Sequence, residues 1–439
     1  MTREPGAQGS TPQVTEAGKG ETLAEAHPAR KRVSGLFLVT YTVANFGLSL
    51  ATLMPALFTL AYKMQIIAPE SKAASLGIVI SIGAVVTFIS TPVVGVLSDR
   101  TTSKFGRRRP WMVVGIVAVA AGSTLIAVAA SVGLVIIGWC LVTFGLASLQ
   151  ATIGPVIAEQ VPDEQRGKAG ALTGVAIQLA GVAGSLVGAL LIDNMLLMFL
   201  LPAIILAVVS VAYFLVIPDR PAVYPEGAPR PSIGKSLAML VFNPLKHRDF
   251  SLVWVGKLLF QMSMAILSTY QLYFVMERLG FTPEEAGTQL AAVGGIGILV
   301  TTGMAVLGGV ISDRLRRRKP FIYAVAALAA TGFVLLAFTS SLPLYIAGSL
   351  FILAAAGIFG SVDLALVADV LPDKQDGAGR WMGIYHTSTS IANATTPILA
   401  AVLLSIGSPT GSNYTVLFFV AAGVAGLIAL STSRIRSVR

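Results

Sequence analysis

The stretch Gly95-Val-Leu-Ser-Asp99-Arg100 ends the second long apolar run of this sequence, and Gly309-Val-Ile-Ser-Asp313-Arg314 ends the eighth, 214 residues later. Each stretch leads into a basic cluster that closes with proline, at Pro110 and at Pro320. A motif that returns at the same place in a series of apolar runs indicates a chain built from two related halves.

A second pair of matching stretches marks the ends of the fourth and tenth apolar runs. The first is Ala158-Glu159-Gln-Val-Pro162-Asp163-Glu-Gln165, and the second, 210 residues later, is Ala368-Asp369-Val-Leu-Pro372-Asp373-Lys-Gln375. Two independent matches at nearly one offset predict halves that run in the same orientation, a recurrent membrane-protein architecture.

The composition indicates that lipid surrounds most of the chain. Hydrophobic residues make up 55% of the sequence and charged residues 12%, and the mean hydropathy is +0.79. A soluble domain carries roughly a quarter charged residues, so most of this surface does not face water. The lone cysteine, Cys140, excludes intramolecular disulfides.

A helix that crosses a bilayer needs about 20 mostly apolar residues. The apolar runs of that length predict twelve spans, at 36–62, 75–98, 111–130, 133–158, 168–191, 195–217, 250–276, 286–311, 321–340, 343–369, 381–406 and 414–432.

The longest polar interruption, residues 218–249, divides the spans six and six. We therefore predict an all-α membrane protein of 12 transmembrane helices in two six-helix pseudo-symmetric bundles. The expected organisation is a disordered cytoplasmic tail at 1–33, an N-terminal bundle at 34–217, a cytoplasmic linker at 218–249, a C-terminal bundle at 250–433 and a cytoplasmic tail at 434–439.

The basic residues predict the orientation. With both termini cytoplasmic, 27 of the 31 Lys and Arg residues lie on the cytoplasmic side. Lys63, Lys72 and Arg278 fall outside, and Lys257 lies within a span. We expect a multi-pass protein of the cell (cytoplasmic) membrane. The net charge of +10 is then an orientation signal beside anionic headgroups, and no nucleic-acid partner is expected.

The repeated loops resemble the signature of the major facilitator superfamily, Gly-x-x-x-Asp-Arg-x-Gly-Arg followed by Arg or Lys, and the resemblance runs from about residue 36 to the end. Four extra residues separate Arg100 from Gly106. That departure, with the closing Arg-Arg-Arg-Pro, is similar to the sucrose and glycoside–pentoside–hexuronide symporter branches. The residues that match the first loop signature are Gly95, Asp99, Arg100, Gly106, Arg107 and Arg108.

The loop residues suggest a cytoplasmic gate. Near a helix end, Gly95 and Gly309 permit close approach of a neighbouring helix. Asp99 and Asp313 can accept hydrogen bonds from backbone N–H groups at a helix start. The arginines can bridge to acidic groups at the ends of helices 4 and 10, and the resemblance implies that such contacts close this face. The basic residues alternatively serve topology alone. The further candidates for this gate are Glu159, Arg314, Arg317 and Asp369.

Two ionisable residues lie inside spans, where charge is costly: Lys257 in helix 7 and Asp363 in helix 10. Both lie roughly 9–10 Å from the cytoplasmic face, at 1.5 Å per residue. The repeat gives them no charged counterpart, since Val43 and Ile153 occupy the equivalent positions. One hypothesis is that Asp363 binds the coupling proton or hydrogen-bonds the substrate and that the nearby Lys257 modulates the pKa of Asp363. The other is that the two residues form a permanent ion pair between the helices.

Other polar side chains at membrane depth could hydrogen-bond a hydroxylated solute or stack on it, although each alone is more often a helix-packing residue. The amide candidates are Asn45, Gln150, Gln178, Gln261, Gln271 and Asn393, and the aromatic candidates are Tyr41, Tyr270, Tyr273 and Tyr385.

The leading functional hypothesis is a secondary active transporter that moves a small organic solute, such as a sugar or glycoside, by alternating access. The expected partners are the substrate, a proton or sodium ion and the lipid bilayer, and we expect a monomer. One alternative is proton-coupled efflux of a drug or metabolite. Another, of a different class, is a polytopic membrane enzyme or receptor. We predict no enzymatic activity, no cofactor and no metal site.

Overall fold

The computed structural model describes residues 32–219, 242–372, 378–408 and 412–436, with the separate residues 2 and 234. In this part of the chain, twelve helices are long and apolar enough to cross a membrane. We number them α1 to α12. Their bounds are Gly35–Ile67, Pro69–Arg100, Arg109–Val128, Val132–Gln160, Asp163–Leu190, Met195–Val216, Arg248–Leu279, Pro283–Leu315, Lys319–Ala337, Leu342–Val370, Arg380–Ser405 and Tyr414–Ser433.

All twelve predicted spans are confirmed, and several helices continue beyond the apolar run that predicted them. α5 begins at Asp163 rather than at residue 168. α8 begins after Thr282, whose hydroxyl accepts from the Glu285 amide while the Glu285 carboxylate accepts from the Thr282 amide. Such capping gives hydrogen-bond partners to the backbone N–H groups of the first turn, which therefore needs no apolar residues. Hydropathy alone consequently places the starts of these helices too late.

The two halves repeat the same helix pairings. In the first half α1 packs on α5 and α6, α4 packs on α2 and α3, and α3 also packs on α6. In the second half α7 packs on α11 and α12, α10 packs on α8 and α9, and α9 also packs on α12. The predicted pseudo-symmetry of two six-helix bundles is thereby confirmed. The halves meet chiefly where α2 packs on α11 and α5 packs on α8.

The predicted organisation along the chain stays a prediction at its boundaries. Most of the tail at 1–33 and the linker residues 220–233 and 235–241 lie outside the described residues.

Repeated glycines let neighbouring helices approach closely. A Cβ atom added at Gly122 in α3 would lie 2.5 Å from the Gly138 carbonyl oxygen in α4. At the equivalent crossing of α9 and α10, a Cβ atom added at Gly332 would lie 2.7 Å from the Gly348 carbonyl oxygen. Without a hydrophobic driving force between helices in lipid, close backbone packing of this kind is a main source of association.

Prolines interrupt the backbone hydrogen-bond ladder of several spans. Pro55–Thr59 forms a π-helical turn within α1, and α4 is broken at Gly154 and Pro155 between Ile153 and Val156. Proline has no N–H group to donate, so the helix changes its winding or direction there.

We expect Gly332→Val to lower the free energy of unfolding by about 1–3 kcal/mol, because the new side chain would force α9 and α10 apart. Thermal unfolding of the purified protein in detergent would measure the loss. Gly303→Val is the matched control, since a Cβ atom there meets nothing within 4 Å. Equal stability of the two variants would contradict close packing at Gly332.

Candidate functional site

A cavity region lies between the two halves and consists of two adjoining lobes that share lining residues. Lobe A, of about 430 Å³, is bounded mainly by α5, α7, α8 and α10, and lobe B, of about 380 Å³, by α1, α2, α4, α7 and α11. Side chains from both halves line both lobes, and the shared lining residues are Leu53, Leu57, Ala265, Ser268 and Asn393. The volumes of both lobes lie in the range of small-molecule sites.

Five amide side chains line these lobes. Each of them forms no hydrogen bond with any residue that the structure describes, and no charged side chain lines either lobe in that part of the chain. An amide offers both donors and acceptors, so the cavity suits an uncharged solute that carries hydrogen-bonding groups. Gln178, Gln261 and Gln271 line lobe A, Gln150 lines lobe B, and Asn393 lines both.

The other polar candidates lie apart from both lobes. Asn45 donates to the Tyr41 carbonyl one turn back within α1, at 2.9 Å. Tyr270 is buried, with its hydroxyl 2.7 Å from the Pro397 carbonyl oxygen and 3.1 Å from that of Ala73. In this conformation the Tyr270 ring packs between helices, which is the role that such a residue more often has in a membrane span.

Lys257 and Asp363 come together inside the second half. The Lys257 Nζ atom lies 3.5 Å from Asp363 Oδ2, and the side chains are 11% and 6% exposed. The ammonium also lies 3.9 Å from the centre of the buried Tyr385 ring, a cation–π contact. The Lys257 ammonium therefore has two partners within its own half, the Asp363 carboxylate and the Tyr385 ring.

A stacked aromatic pair lies between these charges and the cavity. Phe260 follows Lys257 by about one turn of α7, Phe359 precedes Asp363 by about one turn of α10, and their ring centres are 3.9 Å apart. Both rings are buried. The lining of lobe A begins beyond them, at Gln261 and Leu353. The charged pair consequently lies behind the cavity wall rather than in it.

The first repeated loop forms an ion network within its own half. Arg107 lies 3.6 Å from Asp99 and 3.0 Å from Glu159, and Arg108 also pairs with Glu159. The amides at the start of α3 donate to Asp219, from Arg108 N at 2.8 Å and Arg109 N at 3.1 Å. We expected Asp99 to accept from such amides; Asp219, which follows α6, accepts from these two instead.

The second loop forms a matching network around Arg318. Its guanidinium lies 2.6 Å from Asp313 and 3.8 Å from Asp369. The candidate Arg317 is exposed and its side chain forms no ion pair with a described residue, whereas the neighbouring Arg318 makes both contacts. Arg318 stands 210 residues after Arg108, and the repeat offset could have identified it.

The remaining gate candidates stay separate from these networks. Arg100 and Arg314 are exposed and form no ion pair within the described ranges. A Cβ atom at Gly95 would meet nothing within 4 Å, and one at Gly309 would make only an ordinary contact with Ser361, at 3.5 Å. The expected close approach at these glycines is therefore wrong in this conformation. Gly106 has a positive φ of 108°, which glycine adopts readily.

The polar contacts that join the halves lie at the opposite face. There α7 side chains reach α1 and α2, whereas the ion pairs described for the repeated loops each stay within one half. The conformation is thus closed at the face away from the loops.

Trp139 is a cavity residue that the sequence did not single out. It lines lobe B, and its buried indole N–H meets no hydrogen-bond partner in the described structure. A tryptophan in an apolar span gives no signal of its own, because aromatic packing and ligand contact look the same in sequence.

We expect Lys257→Met to destabilise the protein by about 3–5 kcal/mol, because Asp363 would be left as a buried charge without its partner. The double variant Lys257→Met with Asp363→Leu should recover most of that loss in thermal unfolding. Lys104→Met, in an exposed loop position, is the control and should change stability by less than about 0.5 kcal/mol. A double variant no more stable than the single one would contradict mutual neutralisation.

Known proteins share this fold. The peptide transporter POT in complex with sulfate superposes with a TM-score of 0.72 at 15% identity, over 93% of this chain and 96% of its own. The nucleoside transporter NupG gives 0.69 at 12% identity, over 91% and 98%. A D-xylose–proton symporter gives 0.66 at 18% identity, over 91% and 97%.

Sequence comparison gives a local relative and a family. An uncharacterised symporter of Synechocystis is 49% identical over 45 residues, which are 10% of this chain and only 8% of that protein. The profile of the Major Facilitator Superfamily matches residues 33–379. With twelve spans in two repeated halves and a profile match over most of its length, the chain belongs to the Major Facilitator Superfamily of transporters.

Proposed function

We propose that the protein is a secondary active transporter that carries a small, uncharged polar solute, such as a sugar or glycoside, by alternating access through the cavity between its halves. The observation that carries the proposal is the set of unpartnered amides in a cavity without charged lining residues in the described chain. None of these amides hydrogen-bonds to a described residue, so their donors and acceptors are free to bind a solute that carries hydroxyl groups.

Of the three solved structures named above, one is a peptide transporter. The other two support this class of cargo, since one transports nucleosides and one is a D-xylose–proton symporter. Both kinds of solute carry hydroxyl groups and match the donors and acceptors of amides. Efflux of a more apolar compound is the second candidate, because Leu53, Leu57 and Met264 give lobe A a large apolar surface.

For coupling, we propose that Asp363 binds a proton and thereby releases Lys257. Asp363 is the acidic residue deepest within the described spans, since the others lie near helix ends. Loss of the ion pair would loosen α7 from α10, and α7 also carries Gln261 and Gln271 of the cavity. Sodium is the alternative coupling ion, and replacing it in the assay distinguishes the two.

We also propose that the repeated loops face the cytoplasm of a cell membrane with both termini on that side, and that the networks around Arg108 and Arg318 are parts of the cytoplasmic gate. The distribution of basic residues, 27 against 3, supports this orientation.

We expect the protein in proteoliposomes to take up a neutral sugar or nucleoside. Asn393→Ala should raise the KM for that solute about three- to ten-fold, the effect of losing one hydrogen bond. The substrate panel should include sugar acids, amino acids and amphipathic drugs. Gln289→Ala, on α8 outside both lobes, is the control for an amide-to-methyl change. Transport of amphipathic drugs alone would favour the efflux alternative, and no flux of any solute would contradict the proposal.

Asp363→Asn should abolish stimulation of uptake by an inward proton gradient while solute exchange at equal concentrations continues. An asparagine fills the same space and its side-chain oxygen can still accept a hydrogen bond from Lys257, but it binds no proton, so coupling is lost while translocation continues. The measurement is initial uptake with and without the gradient, in sodium and in sodium-free buffer. Uptake that still responds fully to the proton gradient in the variant would remove Asp363 from the coupling role.

A further inference from the structure

Lys257 belongs to a stripe of α7 that faces α11. Phe250, Trp254 and Lys257 follow one another at intervals of four and three residues, so their side chains project from one face of the helix. The Phe250 ring meets the Trp381 ring of α11 edge-on, with 5.0 Å between the ring centres. One turn further along α7, the Trp254 indole N–H donates to the Ile384 carbonyl of α11, at 3.1 Å. The stripe then continues to Lys257, which it directs towards the same helix.

The Tyr385 ring of α11 receives the Lys257 ammonium. The Nζ atom lies 3.9 Å from the ring centre, well inside the range of about 6 Å over which the face of an aromatic ring attracts a cation. Its distance to Asp363 Oδ2 is 3.5 Å, longer than the roughly 2.7–2.9 Å of a close bond between an ammonium and a carboxylate. The ammonium is thus shared between a carboxylate of α10 and a ring of α11.

Little water reaches this cation–π contact. Tyr385 is 0% exposed, and the Lys257 side chain is 11% exposed. The stacked rings of Phe260 and Phe359 lie between the charges and the cavity. A cation–π attraction is strongest where both groups are desolvated, so the ring is a substantial partner for the ammonium at this position.

Neutralisation of Asp363 would deprive the ammonium of its ionic partner. Among the described residues, the Asp363 carboxylate is the only group that forms an ion pair with Lys257. A buried charge that loses its partner is strongly destabilising, and this penalty opposes proton binding to the carboxylate. A ring that already holds the ammonium reduces the penalty, because Lys257 keeps one partner without moving towards water.

The repeat shows that the ring and the two charges form a unit. Val43 and Ile153 stand at the positions of Lys257 and Asp363 in the first half. At the offset of 210 residues, Val175 stands at the position of Tyr385. The aromatic partner is therefore absent from the first half together with both charges, as expected if the ring serves the charges rather than the scaffold.

We propose that Tyr385 is a positioning residue for coupling: its ring holds the Lys257 ammonium when Asp363 is neutral, so that α7 remains on α11 while it separates from α10. The proposal rests on the coupling role proposed for Asp363 and is independent of the identity of the solute. The other titratable group beside the ring is His386, the next residue of α11, which is exposed and whose ring centre lies 5.8 Å from that of Tyr385.

The first test needs no solute and measures how the stability lost with the ring depends on the charges beside it. Tyr385→Leu, which removes the aromatic face, is compared with Tyr385→Phe, which keeps it, by thermal unfolding in detergent. The three backgrounds are the parent, Asp363→Asn, where the ammonium has no ionised partner, and Lys257→Met with Asp363→Leu, which has neither charge. We expect the difference in Tm between the Phe and Leu variants to be about twice as large in Asp363→Asn as in the background without charges, with the parent between them.

Tyr213→Leu is the matched control for this comparison, because Tyr213 is a buried tyrosine of α6 in the other half. Its loss of Tm should be the same in all three backgrounds, as expected for distant sites. Tyr385→Met, also without an aromatic face, takes the place of Tyr385→Leu if that variant expresses poorly. Equal losses on removal of the Tyr385 ring in the three backgrounds would show that the ring only fills space, and would overturn the proposal.

The second test measures the contribution of the ring to transport, with a radiolabelled neutral sugar or nucleoside in proteoliposomes. Tyr385→Phe should keep the stimulation of uptake by an inward proton gradient within about two-fold of the parent. Tyr385→Leu should lower that stimulation about three- to ten-fold, the effect of losing one cation–π contact, while solute exchange at equal concentrations continues. An equal loss of stimulation in the two variants would overturn the positioning role. A parent that does not respond to the proton gradient would instead contradict the coupling role of Asp363, and the Tm comparison still decides whether the ring holds the ammonium.

Discussion

Hydrocarbon offers polar groups no hydrogen-bond partner, and this constraint governs where each charge and amide of the protein lies. Lys257 and Asp363 neutralise each other in the second half, and Lys63 and Arg278 find backbone carbonyls at helix ends. The cavity amides are the exception, since they face a space instead of a partner in the described structure. The same rule therefore separates groups that serve the scaffold from groups available to a solute.

The duplication also distinguishes features that recur in both halves from features present in only one. The crossings at Gly122 and Gly332 recur in both halves, as do the ion pairs of Arg108 and Arg318 with an acidic residue at the end of α4 or α10. These features position helices and loops, which both halves need. Lys257 has no counterpart in the first half, where Val43 stands at its position. Asp363 likewise has no charged counterpart, because Ile153 stands at its position in the first half.

One helix connects the asymmetric features. α7 is 32 residues long, or roughly 48 Å, and carries Lys257 near one end, Gln261 and Gln271 along the cavity, and Tyr273 near the other end. A continuous helix moves largely as a unit, so a change at the ion pair and a change at the far face have a direct physical connection. The buried Phe260 ring separates the ion pair from the cavity along the same helix.

The sequence by itself determined the number of spans, their division into repeated halves and the residue types at the loops, because hydropathy and repetition are properties of the chain alone. It also identified all five cavity amides and the two intramembrane charges, since polar residues are rare in apolar spans. The structure decided which of these face the cavity: Gln150 does, whereas Tyr270 packs between helices and Asn45 bonds within its own helix.

Partners in space were the part that only the tertiary structure decided. Asp219 rather than Asp99 accepts from the two amides at the start of α3, a contact between residues 111 and 110 positions apart that no motif in the sequence indicates. The closed face also depends on contacts between α7 and the first half, such as Tyr273 with Ala61, whose positions are 212 residues apart. Spacing along a chain carries no information about such a contact until the helices are packed.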